Sequence, residues 1–356
     1  MEAGIPILPI YCLFLSRRKV LCTWMFGWRY SGLLKEESVA QAPNQRIRNR
    51  GQSVQVVEMR RELASKIAAH VPRPGAQATP IPGLTLYRRT EPSPCYPATY
   101  EPSLTVFVQG RKRITLGGTT YLCDDSSFLL SSVDVPVVSQ IVAASENVPL
   151  LSLHLKLDMP LVREILTQQE FQRPEGSSHN RGIAVGTTTV ELLKPCSRLL
   201  DLLDAPQDIP FLSNLIQREI VYRLLRGPQS ERLRAIATLG DHSQRTAKAI
   251  AWLKTNYAKP LRLGELAEVA QMGMSTLHHH FRGLTAMSPL QYQKQLRLQT
   301  ARERMLIEGL DAASAAFEVG YESASQFNRE YKRFFGQPPM RDVKARRLAS
   351  PEAVSD

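Results

Sequence analysis

The chain has 356 residues, 43% of them apolar, and a formal charge of +12. That length holds two globular domains with an extension, and no apolar run reaches the roughly 18 residues that a membrane-spanning helix needs. Five cysteines, Cys12, Cys22, Cys95, Cys123 and Cys196, include no CxxC pair and are odd in number, so a fully paired disulfide framework is excluded. Reduced thiols in a cytoplasmic protein are the simplest reading.

Residues 1–58 open with aromatic and cysteine-containing sequence and pass into the polar stretch QAPNQRIRNRGQSVQ, which sustains no period. That is the composition of a disordered leader. The apolar residues near the start are interrupted by Pro6 and Pro9 and preceded by Glu2, so no targeting signal is read there. From Met59 a helical pattern is clear, with Leu63, Ile67 and Val71 at i, i+4 and i+8. Met59 or a nearby codon is therefore a candidate natural start, and residues 59–185 form the first expected folded unit.

From Thr79 to about Leu157 the pattern changes to GLTLYRR, SLTVFVQG, KRITLGGTTYLC, SSFLLSS, PVVSQIVAAS and PLLSLHLKL. These short alternating or apolar runs, bounded by turn formers about every ten residues, predict a sandwich or small barrel. A barrel of this kind can enclose one small ligand, and Tyr96, Tyr100, Glu101 and Gln109 are effector-contact candidates near its mouth, set against ordinary packing or surface roles. The only histidine of the segment, His154, alternates with Leu153 and Leu155 and is read as a bonded structural residue. A catalytic metal needs several converging ligands, so none is expected. Cys95, in a Pro-rich loop, and Cys123, beside Asp124 and Asp125, are candidate redox-sensing thiols, although neighbouring carboxylates would make Cys123 less reactive.

Residues 186–240 read as helical, with stripes made by Leu192, Leu199, Leu202 and Leu203 and then by Leu212, Leu215, Ile216, Ile220 and Leu224. Such stripes can bury against the barrel or against a second subunit. A linker is expected at residues 240–243.

Residues 241–347 carry one device written twice. The first copy is LGELAEVAQMGMSTLHHHF, with Leu266, Ala267 and Ala270 on an inner face, a tight turn at Gly273, and a second helix that turns Leu277 and Phe281 inward. The second copy is DAASAAFEVGYESASQFNREY, with Asp311 as N-cap, Ala312, Ala315 and Ala316 inside, Gly320 ending the first helix, and Phe327 and Tyr331 inside the next. This is helix-turn-helix logic. The outer faces present Ser275, Thr276, His278, His279 and Arg282 in one copy. In the other they present Ser325, Gln326, Asn328, Arg329 and Lys332, residue types that suit base edges and phosphates of double-stranded DNA. Between them SPLQYQKQLRLQTARERMLI predicts a helix capped by Ser288 with Pro289 at its first position, about 30 Å long and so close to one duplex turn. Consecutive helical side chains diverge by about 100°, so His278, His279 and His280 cannot share one metal ion. The region holds seventeen Lys/Arg against ten Asp/Glu, the largest basic excess in the chain, as a duplex binder requires.

On LAEVA (266–270), LHHHF (277–281), SPLQYQKQLRL (288–298) and AFEVGYESASQFNREYKRFFGQPP (316–339), the chain resembles the AraC/XylS family of bacterial transcription regulators. The stretch PATYEPSLTVFVQGRKRITLGG is similar to the cupin-like N-terminal sensory domain of one branch of that family. The resemblance implies an α+β multidomain fold: an N-terminal cupin-like β-barrel with flanking helices, and a C-terminal all-α double helix-turn-helix. It also implies DNA contact by His279, a small-molecule effector, RNA polymerase as a possible partner, a homodimer formed through the 186–240 helices, and no cofactor. Two positions depart from the family pattern. Ala286 stands where Gly is expected, and a left-handed Ala costs about 1 kcal/mol; Arg262 stands where a capping Ser or Thr is expected. An alternative is a cupin-type enzyme with an accessory DNA-binding tail, which the missing histidine cluster disfavours. Residues 348–356 read as a tail.

Overall fold

The computed structural model describes residues 43–168, 181–238 and 240–349; most of the expected leader and tail, with Cys12 and Cys22, lie outside them. The first element is helix α1 (Pro43–His70), which begins well upstream of Met59. Its first half has no apolar period. It does have Pro43 at the first helical position, with no further proline, and three Gln and three Arg among its first fourteen residues. The expected face is in place: Leu63, Ile67 and Val71 are buried.

Ten strands follow: β1 (Gly75–Ala78), β2 (Leu84–Arg89), β3 (Tyr96–Tyr100), β4 (Ser103–Gln109), β5 (Arg111–Leu116), β6 (Thr119–Cys123), β7 (Ser127–Ser131), β8 (Val135–Ala143), β9 (Leu150–Lys156) and β10 (Ile183–Thr187), with helix α2 (Met159–Gln168) between the last two. They make two antiparallel sheets, ordered β1-β2-β9-β4-β7-β10 and β3-β8-β5-β6. Thr105 pairs with His154 across β4 and β9, and Leu86 with Leu153 across β2 and β9. Strand alternation then sorts the side chains of the larger sheet. Leu84, Leu86, Leu104, Val106, Leu151, Leu153 and Leu155 face α1 and the helices that follow, in one core. Tyr87, Thr105, Ser152 and His154, one residue out of step, face the interior between the sheets.

Helices α3 (Val190–Asp201), α4 (Ile209–Arg226) and α5 (Ser230–Ala237) complete that core. Leu192, Leu199, Leu202, Ile220 and Leu224 of the expected stripes are buried in it. Leu212 and Leu215 are not; with Phe211 they stand exposed on α4. The connection from α5 to the next helix is residues 238–241, two residues upstream of the expected linker. Gly240 turns at φ +82°, and Asp241 caps α6 (His242–Asn256) by accepting from the Ser243 N–H.

The remaining helices are α7 (Leu263–Ala270), α8 (Met274–Thr285), α9 (Pro289–Ile307), α10 (Ala312–Glu318), α11 (Ala324–Phe335) and α12 (Pro339–Ala349). The first helix-turn-helix, α7–α8, shares one continuous apolar cluster with the barrel interior, running from Phe107, Val133 and Val135 to Leu277, Phe281, Leu284 and Tyr292. The second, α10–α11, has a separate core built on Phe327, Tyr331, Met305 and Val343.

Candidate nucleic-acid interface and ligand cavity

Helices α8 and α11 are each twelve residues long and correspond at an offset of fifty. Ser275 matches Ser325, Thr276 matches Gln326, His278 matches Asn328, His279 matches Arg329 and Arg282 matches Lys332. All ten lie on outward faces, and all but the half-buried Thr276 are exposed. The inward anchors also correspond: Leu277 with Phe327 and Phe281 with Tyr331, all four buried. Each helix ends on a left-handed residue, Ala286 (φ +62°) and Gly336 (φ +82°), so an alanine does occupy the strained position. The turn into α8 differs from expectation. Its left-handed residue is Gln271 (φ +51°), while Gly273 is extended and caps α8 without a side chain. Arg262 likewise makes no side-chain cap on α7.

Between the motifs, α9 spans nineteen residues, roughly 28 Å at 1.5 Å each. It starts with a full capping box between Ser288 and Gln291. Halfway along, the Arg297 guanidinium donates to the carbonyls of Tyr257 (2.7 Å), Lys259 (3.0 Å) and Gly320 (2.8 Å). One side chain thus ties the end of α6 to the turn of the second motif. In that second motif Asp311 caps α10, accepting from Ala313 and Ser314 N–H groups, as its place in the sequence anticipates. Leu290, in the first turn of α9, is exposed.

The two recognition faces are set differently against the barrel. Ser275, His278, His279 and Arg282 line a cleft whose opposite wall is Gly118, Thr119 and Tyr121 of the β5–β6 hairpin with Arg181 and Arg232. The Gly182 N–H donates to the Leu284 carbonyl at 2.8 Å, closing the cleft at the end of α8. On α11, Gln326 and Glu330 line a pocket made within the DNA-binding unit. His280 is not part of either face; its ring stacks on His242 at 4.5 Å, and burial, with His242 and His279 nearby, lowers its pKa. Among the described residues no three His, Cys, Asp or Glu side chains come together as a metal-holding group, and no helix is long and apolar enough to cross a membrane.

A cavity of about 710 Å³ opens between the two sheets. Tyr96, Tyr100 and Glu101 line it; Gln109 does not, since its amide donates to the Pro149 carbonyl at 2.9 Å. Lys112, Tyr87 and Arg89 also line it, and one wall comes from the DNA-binding unit, through Lys254, Tyr257 and Leu296. The sequence does signal Lys112: in RKRITL it shares strand parity with the buried Ile114 and Leu116. His154 is hydrogen-bonded, with Nδ1 3.0 Å from Thr105 Oγ1, and it also lines the cavity. Burial lowers its pKa and keeps the ring neutral near pH 7. Cys123 and Cys196 are buried, and burial pushes both thiols up to about 12, far from the thiolate range. Cys95 is half-buried.

A two-sheet N-terminal domain joined to paired helix-turn-helix motifs defines a class of transcriptional regulator, and comparison with known proteins agrees. Residues 80–232 match the family described as AraC-type transcriptional regulator N-terminus, and residues 266–345 match a helix-turn-helix domain family. The chain belongs to the AraC family of transcriptional regulators. The HTH-type transcriptional activator RhaS of Yersinia pestis bv. Antiqua (strain Angola) is 27% identical over 143 residues, 40% of this chain and 49% of that protein. The HTH-type transcriptional regulator ArgR of Pseudomonas aeruginosa is 25% identical over 152 residues, 43% of this chain and 46% of that protein. The matched region thus spans about half the length of these curated relatives. ToxT from Vibrio cholerae O395, bound to (E)-4-(8-methylnaphthalen-1-yl)but-3-enoic acid, shares the fold at a TM-score of 0.51 and 12% identity, over 73% of this chain and 97% of that one.

Proposed function

We propose that the protein is a sequence-specific regulator of transcription that lays α8 and α11 into successive major grooves of one duplex and answers to a small molecule held in the cavity between its sheets. The observation that carries this reading is the position-for-position match of the outward residues on α8 and α11, held one helix apart by α9. A spacing of roughly 28 Å approaches the roughly 34 Å between successive major grooves. Phosphate contacts by Arg282 and Lys332 would set register, while Arg329 and Asn328 have the donor and acceptor pattern that reads purine edges. Such a regulator acts in the cytoplasm, by binding and not by catalysis, and its exposed Phe211, Leu212 and Leu215 on α4 suit contact with a second copy.

Selection of binding sites from a random duplex pool tests the reading. The purified chain is expected to recover a site with two readable segments about one turn apart. Arg329→Ala is expected to relax one segment and weaken binding by about 1–3 kcal/mol. Recovery of no preferred sequence, or an Arg329→Ala protein with unchanged affinity and preference, rejects the two-groove arrangement.

A further inference from the structure

The wall that faces α8 is cationic. Arg181 and Arg232 stand across the cleft from Arg282, His278 and His279, and among the described residues no acidic side chain lines it. Arg181 lies at the last turn of α8, its guanidinium donating to the Arg282 carbonyl at 3.4 Å, so two cations are neighbours there. Arg232 is tethered to the barrel by a hydrogen bond to the Ile183 carbonyl. A guanidinium carries five N–H donors. Each of these two makes one hydrogen bond among the described residues, and its other donors are available to an anion. Like charges gathered without an acid raise the free energy of the empty cleft, and an anionic occupant removes that cost.

Position decides which anion. The α8 residues that line the cleft are the outward ones, so the β5–β6 hairpin and the two arginines stand on the DNA side of the first motif. A helix with its side chains is about 10–12 Å across and the major groove is about 12 Å wide. A helix in the groove therefore has a sugar-phosphate strand along each flank, and whatever projects beside it projects over one of them. The wall is held in place, by the Gly182 N–H on the Leu284 carbonyl and by the apolar cluster that α8 shares with the barrel. Its tip leaves the cleft open, since a Cβ on Gly118 would meet nothing within 4 Å. We propose that the cleft is a backbone clamp: one phosphate strand of the duplex lies between α8 and the barrel, with Arg181 and Arg232 on its phosphates from the side opposite Arg282. This rests on the reading of α8 as a recognition helix. Both arginines fall within the residues that match the N-terminal family, so the N-terminal domain forms part of the DNA interface.

Duplexes with neutral methylphosphonate linkages test this. The segment of the selected duplex whose preference Arg329→Ala leaves unchanged belongs to α8. Neutral linkages are placed beside that segment or, as a control, beside the other. For the unsubstituted chain, those beside the α8 segment are expected to weaken binding about tenfold near about 0.1 M salt. The double variant Arg181→Ala with Arg232→Gln is expected to bind the natural duplex about tenfold or more weakly, with the slope of log K against log salt reduced by about 2. Neutral linkages beside the α8 segment are expected to cost this variant several-fold less than they cost the unsubstituted chain, and those beside the other segment to weaken both proteins alike. If the double variant does not fold, Arg181→Ala alone is expected to lower the slope by about 1. An unchanged slope, fully additive losses, or tighter binding by the variant, which would mean that the wall shields α8 from DNA, overturns the proposal. A chain that selects a duplex yet gives any of these results keeps the regulator reading and loses the clamp, whereas an unsubstituted chain that selects no duplex loses both.

Discussion

The guanidinium of Arg297 donates to the carbonyl oxygen of Gly320 across 2.8 Å, and in doing so joins α9 to the turn of the second helix-turn-helix. The same side chain holds the carbonyls at the end of α6, so one side chain of α9 fastens both α6 and the second motif. Arg297→Ala leaves these carbonyls to water and is expected to cost about 1–3 kcal/mol of unfolding free energy in urea. It is also expected to lower affinity for a two-segment duplex toward that for a single segment. Unchanged ratios between the two duplexes would mean that α9 alone fixes the spacing. Gly320 itself is irreplaceable on the same grounds: at φ +87° a Cβ there would run into the Ala258 carbonyl oxygen.

A second fastening lies between the barrel and α8. Gly117, at φ +60° in the β5–β6 turn, approaches Ala286 so closely that a Cβ on it would overlap the Ala286 methyl. Gly117→Ala is expected to lose about 2 kcal/mol, part from a left-handed alanine and part from the overlap. Adding Ala286→Gly removes the overlap and one left-handed alanine, so the double variant is expected to recover more than half of the loss in a urea denaturation series. A double variant no more stable than the single one would show that the hairpin already moves freely over α8.

Much of this arrangement is legible in the sequence, and the exceptions have physical causes. The double motif reads directly because its buried positions keep helical spacing and its caps are local: Ser288, Asp311 and the Leu277/Phe281 pair all depend on neighbours within four residues. Six strand segments read for a similar reason, as alternation. The three strands that do not, β1, β3 and β10, are short and lack it. GAQA has no apolar face, YPATY carries a proline, and IAVGT runs into Gly186 and Thr187 after three apolar residues. The start of α1 is hidden because no apolar stripe runs through its first turns. For the cavity, Tyr96, Tyr100 and Glu101 are found by their place beside strands, and Lys112 is signalled by parity. The wall from α6 and α9 lies more than a hundred residues away in the chain, and no local pattern announces it.

Acid is expected to release the second motif through Asp342. Its carboxylate accepts from Arg302 at 2.7 Å and from the Tyr331 hydroxyl at 2.8 Å, with Arg346 at 3.3 Å. Burial raises the Asp342 pKa, but these partners outweigh it and hold the group below the usual aspartate value. The folded value lies below the unfolded one, so the contribution is complete above the unfolded value of about 3.9 and is lost as the pH falls through the folded value. Unfolding followed by hydrogen exchange in α10–α12 is expected to show stability falling below about pH 4. In Asp342→Asn this component of the slope is expected to vanish, at a cost near neutral pH of about 3 kcal/mol from the unpaired, buried Arg302. Parallel acid slopes in the two proteins would exclude Asp342 as the responsible group.

In the proposed arrangement Lys332 takes phosphate and Arg329 a base edge on α11, and salt is expected to separate the two roles. Both are exposed and neither has an ion-pair partner among the described residues, so each is available to DNA without breaking a bond. A lysine on phosphate releases counterion, and its contribution fades with salt while remaining indifferent to sequence. Lys332→Ala is therefore expected to weaken selected and random duplexes alike and to reduce the slope of log K against log salt by about 1. Arg329→Ala is expected to weaken the selected duplex far more than the random one, leaving the ratio between them smaller. The measurement is one salt titration of both variants on both duplexes. If the two substitutions exchange behaviours, Arg329 holds the backbone and Lys332 lies in the groove, which would rotate α11 about its axis relative to the face assigned here.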